Sequence, residues 1–218
     1  MQEHSIKVER TARYYTLGTL SEKTKTIWFA LHGYGQLAKY FIQKFKHLAD
    51  EETFVIAPEG ISRFYLDGKY DRVGASWMTK DMRVSEVEEY VSYLDNIYDS
   101  VLKDMHLEGV EINLFGFSQG CATVGRWLGA GKPKCNKLIF WAGFFSNGIK
   151  EVIDPQQLKD IDTYYVYGDN DEFLLSYPEL SQKFRDELVK EINPKIISFH
   201  GKHAVHETTL LAYFGRGK

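Results

Sequence analysis

Short apolar runs alternate with segments of helical periodicity along most of this chain, and that alternation constrains the fold more than any other feature. Residues 26–31, 53–57, 110–115, 137–142, 163–167 and 195–199 each read as a strand. They are apolar almost throughout, as expected of strands covered on both faces. Between them, Leu37, Phe41, Phe45 and Leu48 mark one helical face. Val84, Val87, Val91, Leu94, Tyr98, Val101 and Met105 mark a longer one, with Ser85 and Glu88 predicting a capping box near its start. Residues 121–128, a segment opened by Pro178, and residues 207–214 read as further helices. Repeated β-α alternation means an α/β fold, a mainly parallel central sheet with helices on both faces and right-handed crossovers. Residues 5–8 and 12–17 predict an N-terminal β-hairpin within 1–20. At 218 residues the chain suits one domain over 1–218 with a sizeable core.

Composition excludes several classes. A net charge of −3 gives no reason to expect nucleic acid or an anionic membrane as partner. No apolar run reaches the length of a membrane span, and the first residues lack the apolar stretch of a secretory signal. Two cysteines, Cys121 and Cys135, are too few for a disulfide scaffold or a zinc ribbon. They read as thiols in a reducing compartment, so a cytoplasmic location is expected. Residues 59–83 form a long loop holding Phe64, Tyr65, Tyr70 and Trp77, and a loop of this length in a compact domain is usually functional or disordered.

Gly116-Phe-Ser-Gln-Gly120 lies between the strand at 110–115 and the helix at 121–128. A serine on a sharp strand-to-helix turn is the nucleophile elbow of α/β-hydrolases. The glycines admit the close approach of helix and strand that a Cβ would obstruct. A serine hydroxyl is a weak nucleophile and needs a base, itself oriented by an acid. In this fold the order is Ser, then Asp or Glu, then His. Asp169, Asp171 and Glu172 follow one predicted strand, where turn chemistry alone also accounts for them. His200, His203 and His206 follow another, and His203 lies where a loop-borne base is expected. The His203/His206 spacing also suits a metal pair, but His206-Glu-Thr-Thr-Leu210 lacks the second histidine of a zinc helix. The oxyanion of acyl transfer needs two donors. The N–H of Gln119 follows the nucleophile, and Tyr34 N–H in Leu31-His-Gly-Tyr-Gly35 is the second choice. That loop also fits a dinucleotide fingerprint, Gly33-x-Gly35-x-x-Ala38, with Glu59 near the place of a ribose-binding acid. The dinucleotide reading leaves Ser118 and the Asp–His order unused.

Together these segments resemble the phospholipase/carboxylesterase family, which includes acyl-protein thioesterases. The resemblance runs over 26–214. Leu31-His-Gly-Tyr-Gly35 resembles the family's oxyanion loop, Ala57-Pro58 its Ala-Pro, and Gly116-Phe-Ser-Gln-Gly120 its elbow. Gly168-Asp-Asn-Asp171 resembles its His-Gly-x-x-Asp, with Tyr167 replacing the histidine, which implies Asp171 as the acid. His203-Ala-Val-His-Glu-Thr-Thr-Leu210 implies His203 rather than His206 as the base. Ala75-Ser-Trp-Met78 departs from the family's substrate segment, so the substrate itself stays open.

The resulting expectation is a serine hydrolase that cleaves an ester, thioester or lysolipid through an acyl-Ser118 intermediate, with no metal or organic cofactor. A ligand-binding protein on a hydrolase scaffold and a dinucleotide-dependent oxidoreductase are the alternatives. Trp77 is expected to bind substrate or to anchor the core. Phe64, Tyr65, Phe144, Phe145 and Phe173 are further pocket candidates. An apolar rim near the pocket would serve membrane docking or a homodimer.

Overall fold

The computed structural model describes residues 1–215 of the chain. Its centre is a seven-stranded sheet. The strands are β1 (Tyr14–Leu17), β2 (Thr26–Leu31), β3 (Thr53–Pro58), β6 (Glu111–Phe117), β7 (Lys137–Trp141), β8 (Asp162–Gly168) and β9 (Lys195–Phe199). A separate antiparallel pair, β4 (Ser62–Tyr65) and β5 (Val73–Ser76), lies between β3 and β6 in sequence. The main sheet runs β1-β3-β2-β6-β7-β8-β9, parallel except for the edge strand β1.

Alternation along each strand sends side chains to two cores. Ile27, Phe29, Leu31, Ile112 and Leu114 enter one core, where they meet α2 (Arg83–Leu102), α3 (Gln119–Ala130) and α5 (Pro178–Ile192). Trp28, Ala30, Phe115 and Phe117 enter the other, against α1 (Ala38–Phe41) and α6 (Glu207–Phe214). Both faces are therefore covered, which is why the strands read as continuous apolar runs rather than alternating ones.

The strand order reverses beside β2. β3 lies on one side of it and β6 on the other. Leu31 and Gly116 are in register across β2 and β6, so the two strands end level. The loops after them, carrying Gly33 and Ser118, leave the sheet side by side at the carboxyl-end crevice where such sheets bind ligands.

Four details differ from the sequence expectation. The N-terminal hairpin does not form: residues 1–13 carry no strand, and Tyr14–Leu17 pairs antiparallel with β3. A longer-range partner outcompetes the local one, because β3 offers a free edge and a buried face. The helix begun at Ala38 tightens to a 3-10 turn over Ile42–Phe45. The capping box at Ser85 and Glu88 is absent, since α2 already begins at Arg83 behind Met82 in the left-handed region. Glu86 instead accepts the Thr79 N–H at 2.6 Å. The loop at 59–83 contains the β4–β5 hairpin, tied to the rest by a bridge between Gln36 and Ala75. Among the described residues, no helix is long and apolar enough to cross a membrane.

Candidate active site

The elbow follows from three glycine and serine constraints. Ser118 sits at φ 51°, ψ −115°, a conformation costing a non-glycine residue on the order of 1–3 kcal/mol. The surroundings over-determine it. Its N–H donates to Trp141 O at 2.9 Å, and its carbonyl accepts the Cys121 N–H at 3.0 Å. A Cβ at Gly116 would meet Gly120 O at 2.3 Å, and one at Gly120 would meet Leu31 O at 2.3 Å. Glycine at both places lets α3 start directly against β2 and β6, with Ser118 at its tip. Cys121 is fully buried beneath the turn, its thiol donating to Gly116 O at 2.9 Å. Burial raises that thiol well above the usual range, so it stays neutral.

Two of the three carboxylates pair with two of the three histidines, and Glu172 and His206 turn elsewhere. Asp171, 1% exposed, accepts from His203 Nδ1 through Oδ2 at 2.7 Å. Its Oδ1 accepts the Phe173 N–H at 2.9 Å, which caps the short helix α4 (Glu172–Ser176) and fixes the carboxylate plane. Asp169 turns to His200, 3.2 Å away, at the exposed surface. Glu172 reaches only the His203 N–H, at 3.4 Å. His206 bonds to Thr209 Oγ1 at 2.7 Å and stacks on Phe199, so it diverges from His203 and the two form no pair. The His203 ring is held between Phe117 and Phe173, with centroid distances of 5.0 and 4.7 Å.

Ser118, Asp171 and His203 all line one cleft of about 500 Å³. Phe144, Phe145 and Phe173 line it too, whereas Phe64 and Tyr65 stand apart on the β4–β5 hairpin. Trp77 is not in its wall. It is fully buried, packs on His32 and donates its indole N–H to His32 O at 2.8 Å, the core-anchor alternative. An indole with a satisfied N–H beneath a loop gains more from the core than from an open cleft.

The loop after β2 presses on the elbow: a Cβ at Gly33 would lie 3.2 Å from the Ser118 Cβ. Gly33 N–H is taken by Gln36 Oε1 at 2.9 Å and Gly35 N–H by Ala75 O at 2.8 Å. Tyr34 N–H lies between these two committed amides. Gln119 N–H opens α3, where the first amides of a helix have no intrahelical acceptor. The Gln119 side chain is occupied elsewhere. It accepts the Trp77 N–H at 3.1 Å and donates to Met78 O at 2.8 Å, which ties residues 76–78 to the start of α3.

His32 and Glu59 have positioning parts that the sequence reading did not assign. His32 is wholly buried. Its Nδ1–H donates to Gly33 O at 2.7 Å, and its Nε2 accepts the Gly60 N–H at 3.0 Å. Burial lowers its pKa to about 4, against the opposing pull of the Gly33 carbonyl and the Glu59 charge, so the imidazole is neutral and the tautomer is set. Glu59 is 1% exposed, pairs with Arg13 at 2.7 Å and accepts the Ala38 N–H at 3.2 Å. An acid consumed in this way is not offered to a ribose, and the dinucleotide reading loses its key residue. His32 lies within the Leu31-His-Gly-Tyr-Gly35 segment, which does not by itself show what the ring does, and no motif marks the role of Glu59.

A parallel sheet covered on both faces, with a strained serine at the switch point and an Asp–His pair on later loops, defines an α/β-hydrolase with a serine centre. The chain matches the family model described as serine hydrolase (FSH1) over residues 21–210, and it belongs to that family. Among solved structures, it is similar to Zea mays acyl-protein thioesterase 2, with a TM-score of 0.64 and 18% identity over 89% of this chain and 92% of that one. It is also similar to a phospholipase/carboxylesterase from Dyadobacter fermentans, with a TM-score of 0.59 and 14% identity over 95% and 98%. The Bacillus cereus carboxylesterase gives a TM-score of 0.57 and 10% identity over 91% and 90%. No curated protein matches.

Proposed function

We propose that this serine hydrolase cleaves carboxylic esters or thioesters through an acyl-Ser118 intermediate. The observation that carries the reading is the 2.7 Å bond from His203 Nδ1–H to Asp171, in the same cleft as Ser118. That bond fixes the tautomer in which Nε2 is free to take a proton. Ser118 Oγ attacks the carbonyl carbon as its proton passes to His203 Nε2, and Asp171 stabilises the imidazolium. The N–H groups of Tyr34 and Gln119 receive the oxyanion. Collapse expels the alcohol or thiol, which takes the proton from His203. Water then attacks the acyl-enzyme by the same route in reverse, releasing the acid and freeing Ser118. No metal or organic cofactor enters this sequence.

An apolar acyl portion suits the aromatic wall of Phe144, Phe145 and Phe173. The names of the thioesterase and carboxylesterase neighbours agree with this substrate class. Two unpaired thiols, Cys121 and Cys135, agree with work in the cytoplasm. A chain-length series of p-nitrophenyl esters and acyl thioesters tests the proposal. Hydrolysis with a clear length optimum is expected, and Ser118→Ala abolishes it. Turnover by Ser118→Ala within a few-fold of the parent would refute it.

A further inference from the structure

The cleft does not end in apolar side chains. Gln119, Ala122, Thr123 and Arg126 lie at i, i+3, i+4 and i+7 of α3, and all four line it. This single helical face leads from the nucleophile to a guanidinium eight residues on, about 12 Å along the axis at 1.5 Å per residue.

Arg126 is held in an unusual way. Its side chain is 12% exposed. A guanidinium this buried ordinarily bonds to oxygen with several of its five N–H groups. Here Nη1 faces the Met78 sulfur at 3.4 Å, a weak acceptor. Nη2 is 3.6 Å from Glu151 Oε1, too far for a hydrogen bond. That same oxygen is paired with Arg83, which lines the cleft as well. Two arginines therefore share one carboxylate, and the cluster carries an excess positive charge. The fully buried Tyr90 hydroxyl is raised in pKa by burial, against the lowering pull of the neighbouring Arg126 guanidinium, which lies beside it without a well-formed hydrogen bond. Among the described residues, Arg126 therefore has only a weak sulfur acceptor and a distant share of one carboxylate, Glu151, which lines the same cleft wall.

We propose that the end of the cleft at Arg126, supported by Arg83, is a carboxylate-binding subsite. The substrate is then an ester or thioester bearing a carboxylate, separated from the scissile carbonyl by an apolar spacer that lies along Ala122, Phe144 and Phe145. The planar guanidinium matches a carboxylate in bidentate fashion and recovers the hydrogen bonds it lacks in the free protein. This inference rests on the serine chemistry proposed above.

The test compares kcat/KM for pairs of esters matched in length. Mono-4-nitrophenyl esters of straight-chain diacids are set against the same esters with the far carboxyl methylated. A second series of acetate esters places the carboxylate on the leaving group. At neutral pH, the wild type is expected to prefer the anionic member in one series, mainly through KM. Arg126→Met leaves the Arg83–Glu151 pair intact, and the preference should fall at least about tenfold. Arg126→Lys should fall between, and Glu151→Gln should raise the preference. A preference for the neutral ester at every length in both series, or one unmoved by Arg126→Met, overturns the subsite. Intact mass after fluorophosphonate treatment separates the two claims. Labelled wild type with an unmoved preference overturns the subsite alone, whereas unlabelled wild type overturns the serine reading beneath it. Should Arg126→Met not take the label, the Glu151→Gln preference decides.

Discussion

At the residue scale, the proposed site takes one histidine and one carboxylate from several of each, and hydrogen bonding supports that choice. His203 points to Asp171, while His206 is spent on Thr209 and Phe199. Replacing the two histidines should therefore have unequal effects. His203→Ala is expected to lower kcat/KM for an ester by about a thousandfold or more, as loss of a general base does. His206→Ala is expected to leave the rate near the parent value and to lower only the melting temperature, through loss of a ring stack and a helix-start contact. Equal and mild effects in steady-state assays would mean that another group is the base.

At the scale of elements, the site depends on how closely α3 meets the sheet. Gly120 belongs to the helix, where alanine would ordinarily be favoured by roughly 1 kcal/mol. Its Cβ would instead lie 2.3 Å from the Leu31 carbonyl, which is backbone and has no room to move. Gly120→Ala is thus expected to destabilise by about 3 kcal/mol, as overpacking a rigid contact does, and to lose activity as the elbow shifts. Urea melts give the first quantity. A variant as stable as the parent would show that the helix seats less tightly than described. The loop at β2 is equally constrained: the neutral His32 bridges Gly33 and Gly60, and Gln36 and Ala75 take the amides on either side of Tyr34.

At the scale of the whole molecule, buried titration couples the site to stability. The folded His32 has a pKa of about 4, below its ordinary value of 6.5. The unfolded chain therefore binds the proton first as pH falls. Stabilisation from this residue is complete above about 6.5, declines below it and is lost as pH passes through about 4. Unfolding free energy should drop by about 2 kcal/mol between pH 7 and pH 5 from this group. His32→Gln should flatten that part of the curve in urea melts, and an unchanged slope would remove His32 from the account. Much of this architecture is legible in the sequence, because strands buried on both faces leave unbroken apolar runs and the elbow leaves its glycines. The parts that are not legible depend on distant partners. Tyr14–Leu17 finds β3 rather than residues 5–8. The β4–β5 hairpin is short and mixed in polarity, so it has no clear period. Trp77 reads the same in a core as in a pocket until His32 is placed beside it. Arg126 looks like one more surface cation on a helix until α3 is seen to line the cleft.

The central claim is that Ser118 is an activated nucleophile, and intact mass after fluorophosphonate treatment tests it most directly. The wild type is expected to gain one adduct, localised by peptide mapping to Ser118, while Ser118→Ala gains none. An adduct on both proteins, or on neither, would contradict the account.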